Sequence, residues 1–211
     1  MKKKIDPESL SRKDAYFFGI SLICPRPIAF VTSLNKDGLV NAAPFSYFNG
    51  ISTRPFLIGI SIADKGKGIK KDTLNNIIEK KEFCVNLINS SMAEGVTISA
   101  TDFPSDVSEM DFNGFHLEPA ETISVPRIQE SPAVMECVLE RIIDDLGPFS
   151  YVIGRARSIY AEESFIDSQT GYFLPKEADL LGRLGGSDFC KIGDIITVKR
   201  KPVEEFLQKK K

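Results

Sequence analysis

Tryptophan is absent from this 211-residue chain, histidine occurs once and cysteine only four times. The cysteines, Cys24, Cys84, Cys137 and Cys190, are widely spaced and form no CxxC pair. That spacing reads as reduced, mostly buried thiols of a cytoplasmic protein. With His116 as the one imidazole, no zinc site is expected. Long apolar runs are missing too. The best, FLIGISI at 56–62, is broken by Gly59 and Ser61, far from the ~18–20 residues of a membrane helix. The opening MKKKIDPESL has a basic head with no apolar stretch behind it, so it does not read as a signal peptide. Nor is there a basic excess: 27 Lys and Arg face 29 Asp and Glu, for a net charge of −2. Binding to nucleic-acid phosphates is therefore not expected. No repeat or low-complexity tract appears.

What is present is an ordinary globular composition, 42% apolar and 27% charged. A single domain is expected over 1–211, its core at about 10–200 and a basic tail at 201–211. Segments 27–34 and 39–48 read as strands around the polar turn Asn35-Lys36-Asp37-Gly38, and 55–62 as a third. Asp64 to Gly68 interrupts the pattern. A helix then starts with Asp72 as N-cap and Leu74, Ile77 and Ile78 on one face. Segment 82–88 reads as a strand, 90–101 as a helix, and 102–114 as a polar loop studded with Phe103 and Phe112. Further strands are expected at 133–143 and 149–160 around Gly147-Pro148, then a short helix at Val203–Leu207 before a lysine tail. Mostly strands joined by tight turns predict a mainly β protein with short helices, an antiparallel barrel or sandwich.

Several catalytic motifs fail. GKGIKK at 66–71 carries Lys71 where a dinucleotide fold needs its third glycine, and no GxxxxGK[ST] occurs. His116, in a loop without a nucleophile elbow, reads as structural. Asp144-Asp145 and Glu162-Glu163 read as solvated turns. No catalytic side chain and no metal ligand is singled out. Two other groupings stand out. Thr32, Ser33, Ala42, Ala43, Pro44 and Ser46 put small and hydroxyl side chains on the first hairpin, where a flat ligand could approach the backbone. Lys70-Lys71-Asp72-Thr73 combines cations, a hydroxyl and helix N–H groups, which suits a phosphate. Plain packing and a solvated turn would use the same residues.

Four segments carry a family resemblance. RPIAFVTSLNKDGLVNAAPFSYFNGIS (26–52), KKDTLNNIIEKKEFCVNLI (70–88), ESPAVMECVLERIIDDLG (130–147) and RLGGSDFCKIGD (183–194) resemble, in order, motifs of the flavin reductase-like family. Lys70 stands where that family commonly has Arg, and Phe189-Cys190 where Tyr is usual. The resemblance implies an antiparallel FMN-binding split barrel of Greek-key type. It implies an isoalloxazine ring along Thr32, Ser33 and the backbone of Ala42, Ala43, Pro44, Phe45 and Ser46. Ser46 and Asn49 would fix the ring or ribityl chain, and Lys70, Lys71 and Thr73 the phosphate. Arg26 and Arg183 are further candidates, Arg26 divided between ligand contact and positioning its strand.

The implied activity is hydride transfer from NADH or NADPH to FMN, and onward to free flavin or a protein acceptor, in a homodimer. A flavoredoxin-like electron carrier is the alternative, and a non-redox barrel a third. The loop at 102–114, with Phe115 just beyond it, either covers part of the pocket or packs on the surface.

Overall fold

A computed structural model describes residues 1–207, apart from the side chain of Glu205. Helix α1 (Arg12–Leu22) precedes strands β1 (Ala29–Leu34), β2 (Val40–Phe45), β3 (Phe48–Thr53) and β4 (Phe56–Ala63). Helix α2 (Asp72–Lys80), strand β5 (Glu82–Asn86) and helix α3 (Ala93–Ile98) follow. The short pair β6 (Leu117–Glu118) and β7 (Arg127–Ile128) leads into the long hairpin β8 (Ala133–Leu146) and β9 (Phe149–Ala161). A second short pair, β10 (Leu181–Arg183) and β11 (Phe189–Lys191), and helix α4 (Val203–Leu207) complete it.

The main sheet is antiparallel, in the order β2-β1-β5-β8-β9-β4-β3. Strands β2 and β3 hold its opposite edges, yet only Ser46 and Tyr47 separate them in sequence. Three Cα steps reach at most ~11 Å, whereas the edges of a flat seven-stranded sheet would lie ~29 Å apart at ~4.8 Å per strand. The sheet must therefore roll until its edges meet, which makes it the expected barrel. The link is held to β4, where the Ser61 N–H donates to the Tyr47 carbonyl at 2.8 Å and continues the β3–β4 ladder. The strand expected at 39–48 is thus two strands on opposite edges, divided at Ser46–Tyr47.

The first hairpin forms as read. Its register runs from Ala29 opposite Phe45 to Leu34 opposite Val40. Gly38 takes φ +85°, and the Asn35 side-chain oxygen accepts from the Asp37 and Leu39 N–H groups at 2.9 Å each. Inside the barrel, Ile58, Ile60 and Ile62 of β4 meet Val31, Phe83, Val85 and Val152, with Leu74 and Ile77 of α2 packed among them. Burying each such side chain contributes about 1.5–3 kcal/mol. A second cluster, including Ile28, Phe30, Met92 and Val96, lies beneath α3.

Two expectations need correction. Helix α2 begins at Asp72 but its N-cap is Lys71, in extended geometry with no side-chain capping bond. The Asp72 carboxylate instead pairs with Lys65 at 2.6 Å. Helix α1 was not foreseen, because it buries only Ile20 and so carries no apolar stripe to read. The cysteines are all free, with Cys84 and Cys137 buried, Cys190 partly buried and Cys24 exposed. Burial pushes the Cys84 thiol up to about 12, which makes it unreactive. Among the described residues no helix is long and apolar enough to cross a membrane, and no cluster of His, Cys, Asp or Glu could hold a metal. The short helix at Val203–Leu207 forms, while Lys209 to Lys211 of the expected tail lie outside the described residues.

Candidate functional site

Strand β2 is an edge strand, so half of its backbone groups point away from the sheet. The loop at 102–114 satisfies two of them. Ser108 Oγ donates to the Val40 carbonyl at 2.6 Å, and Glu109 Oε2 accepts from the Ala42 N–H at 2.9 Å. Between these anchors and α2 a cleft opens along β2. One cavity of about 80 Å³ is lined by Asn41, Ala43, Lys71, Thr73, Phe103 and Glu109. A second, of about 240 Å³, is lined by Ile28, Ser46, Val96, Thr97, Arg183 and Phe189. Both share Pro44, Phe45 and Ala100 as walls, so the two adjoin and together make a cleft along β2.

At one end stands the α2 N-terminus. Lys71 lies 3.8 Å from Asp102, a loose and exposed pairing. Thr73 is buried, and its hydroxyl accepts from the Asn41 side-chain amide at 2.9 Å. An uncapped helix start with a cation and a hydroxyl can receive an anionic oxygen group. Lys70 is directed elsewhere, to Asp144 on β8 at 2.7 Å. The hydrogen bond from Lys70, with one from Ser150, holds the Asp144 carboxyl below its usual range.

At the other end Arg183 lies over the Phe189 ring, 4.5 Å from its centroid, and donates to the Gly186 carbonyl at 2.7 Å. Burial and the neighbouring Arg26 lower its pKa. Arg26 itself is buried and makes four hydrogen bonds. Its guanidinium donates to the carbonyls of Ile20, Ile23 and Leu184 and to Ser46 Oγ at 3.1 Å. It therefore ties α1 and the β10–β11 turn to the barrel seam, the positioning role of its two alternatives.

Ala43, Pro44, Phe45, Ser46, Lys71, Thr73 and Arg183 thus gather around the cleft. Ala42 is buried just beneath it. The side chains of Thr32 and Ser33 are buried and committed elsewhere. Thr32 Oγ1 donates to the Pro126 carbonyl at 2.7 Å, and Ser33 Oγ accepts from Asn76 at 3.1 Å. Asn49 lies on β3, where its side chain accepts from the Tyr151 hydroxyl at 2.9 Å, and it lines neither cavity. His116 is an exposed loop residue paired with Glu130 at 2.7 Å.

The sequence reading reaches Phe103 only through its loop, offered as covering part of the pocket or packing on the surface, and does not name Glu109. Phe103 stacks on Phe112 with centroids 5.1 Å apart. The buried Glu109 carboxyl is pushed up by desolvation, an effect opposed by the Ala42 N–H. The loop therefore walls the cleft as well as packing on β2. Only the aromatic residues of that loop were a visible cue. The Glu109–Ala42 bond spans 67 positions and leaves no local pattern.

Comparison with known proteins agrees with this fold. The model of the flavin reductase like domain matches residues 21–175. Uncharacterized proteins of Halalkalibacterium halodurans and Bacillus subtilis are each 36% identical to the chain, over 96% and 92% of its length and 98% and 96% of their own. The structure of nitrilotriacetate monooxygenase component B from Bacillus cereus superposes with a TM-score of 0.88 at 33% identity, covering 94% of this chain and 99% of that one. The 2-nitrobenzoate 2-nitroreductase of Pseudomonas fluorescens gives 0.85 at 37%, over 94% and 96%. Flavoredoxin of Desulfovibrio vulgaris shares the fold, with a TM-score of 0.76 at 16% identity over 94% and 97%. With a family model spanning most of the chain and two near-full-length relatives, the protein belongs to the flavin reductase-like family.

Proposed function

We propose that the protein is an FMN-dependent oxidoreductase that takes hydride from NADH or NADPH and delivers electrons to free flavin or a protein acceptor. The observation that carries this reading is the pair of adjoining cavities along β2, with an uncapped helix start and Lys71 at one end and small residues beyond. These features suit a planar ring joined to a phosphate. Lys71 and the α2 N-terminus would hold the phosphate, with Thr73 beside them. The backbone of 43–46 would hold the ring edge, and the loop at 102–114 would exclude water from one side. Thr32, Ser33 and Ala42 would support that backbone from beneath, and Lys70 and Asn49 would act from outside the cleft. A bound flavin supplies the redox chemistry by accepting hydride at N5. That fits a cleft whose one buried acid, Glu109, is occupied in holding β2.

The family membership and the two relatives named as a monooxygenase component and a nitroreductase support redox work at this site. A homodimer is part of the proposal. Helix α1 exposes the apolar side chains of Tyr16, Phe17, Phe18 and Leu22, which a second copy would cover. The test is an absorbance spectrum of protein mixed with FMN and freed of unbound flavin, recorded before and after anaerobic addition of each nucleotide. Bleaching of the flavin bands is the expected result. Bands that persist with both nucleotides point to a carrier reduced by another protein, and failure to retain or reduce any flavin overturns the proposal.

A further inference from the structure

The Arg183 end of the cleft has a feature that a single phosphate-bearing ligand leaves unanswered. Burial, and after it the neighbouring Arg26, disfavours the charge on Arg183. Among the described residues neither guanidinium has a carboxylate within 4.0 Å, although seven Lys or Arg ion pairs form elsewhere. Asp188 is near enough to favour the charge on Arg183, but only its backbone carbonyl approaches the guanidinium, at 3.5 Å. A partly desolvated cation without a counter-ion is unfavourable, and an arriving anion relieves it.

The surroundings say what kind of anion fits. Arg183 borders the cavity of about 240 Å³ whose walls are the apolar faces of Ile28, Phe45, Val96 and Phe189, with Ser46 and Thr97 as hydroxyl-bearing neighbours. Stacking on Phe189 fixes the guanidinium plane, and the N–H groups not taken by the Gly186 and Asp188 carbonyls remain to meet a carboxylate. The opposite end of the cleft already has its own cation and helix N-terminus for a phosphate. We propose that the Arg183 end is a second anion subsite, which takes a planar organic carboxylate beside the flavin. Its placement beside a flavin rests on the function proposed above, whereas the subsite itself rests on the unpaired arginine and its apolar walls.

The experiment uses benzoate and its uncharged isostere benzamide as probes. Each is titrated by calorimetry into the flavin-free protein and into protein saturated with FMN, with the flavin spectrum recorded in parallel. The expected result is benzoate binding at least tenfold tighter than benzamide in both forms, with FMN retained. Arg183→Gln should erase the preference, and Arg183→Lys, a cation without the fork, should keep part of it. Equal binding of the two probes by the unaltered protein overturns the proposal, as does an undiminished preference in Arg183→Gln. Expulsion of FMN by benzoate also overturns it, since Arg183 would then serve the flavin itself. A protein that shows the Arg183-dependent preference but never binds FMN sinks the flavin reading and leaves the carboxylate subsite standing.

Discussion

Lys71 and Glu109 face the same small cavity with opposite charge, and their substitutions should act in opposite directions. A charge-assisted bond from Lys71 to a phosphate contributes ~1.5 kcal/mol or more. Lys71→Ala should therefore weaken FMN binding about tenfold, read by fluorescence titration, while Lys70→Ala, which loses only the surface pair with Asp144, should leave it nearly unchanged. Glu109 titrates the other way. Its folded-state pKa is raised above the unfolded value by burial. Its favourable contribution is present below the ordinary carboxylate pKa and is lost as pH rises through the raised one. Glu109→Gln keeps an acceptor for the Ala42 N–H and removes the charge. The variant should be more stable than the parent at neutral pH and lose that advantage in acid. Denaturant midpoints at pH 4 and pH 7 check this, and an unchanged difference between the two would refute it.

The elements show how far the sequence could be read. Where one strand pairs with its neighbour through a short turn, as in β1–β2 and β8–β9, alternation and a glycine gave both strands within a few residues. The helix at α2 was equally visible, since Leu74 and Ile77 lie one above the other in the core. The reading failed where a tertiary event divides a continuous pattern. Nothing in LVNAAPFSYF marks Ser46–Tyr47 as the passage from one sheet edge to the other. The site was legible on the same terms. Its β2 wall and helix start are local in sequence, whereas Glu109 and Phe103 reach it from a distant loop. Local features also hide packing demands. A Cβ on Gly154 of β9 would lie 2.4 Å from Phe83 Cζ in the barrel core. Gly154→Ala should destabilise the fold by about 1–3 kcal/mol through overpacking, measured by urea unfolding. On β8, Glu136 accepts from the Glu121 and Thr122 N–H groups and the Thr122 hydroxyl at 2.6–2.9 Å. Burial would raise its pKa, but these bonds prevail and lower it, with Arg127 adding to them. The stability Glu136 contributes is thus present above the ordinary carboxylate range and lost as pH falls through its depressed value.

At the scale of the molecule, the exposed apolar side chains of α1 have an expected consequence for assembly. Phe17→Ser combined with Leu22→Ser should shift the protein from dimer to monomer by light scattering, with little change in the far-ultraviolet spectrum, because both side chains are exposed. A parent already monomeric at working concentration would refute the dimer.

The link at Ser46–Tyr47 closes the barrel and also ends the β2 wall of the cleft. Occupancy and closure are therefore thermodynamically linked. A ligand that needs the seam intact at one hundred times its dissociation constant deepens the closed state by about 2.7 kcal/mol. The Ser61 amide, whose acceptor is the Tyr47 carbonyl in the link itself, becomes a natural reporter of binding. If seam opening governs its exchange, FMN at that concentration should slow its hydrogen exchange about a hundredfold.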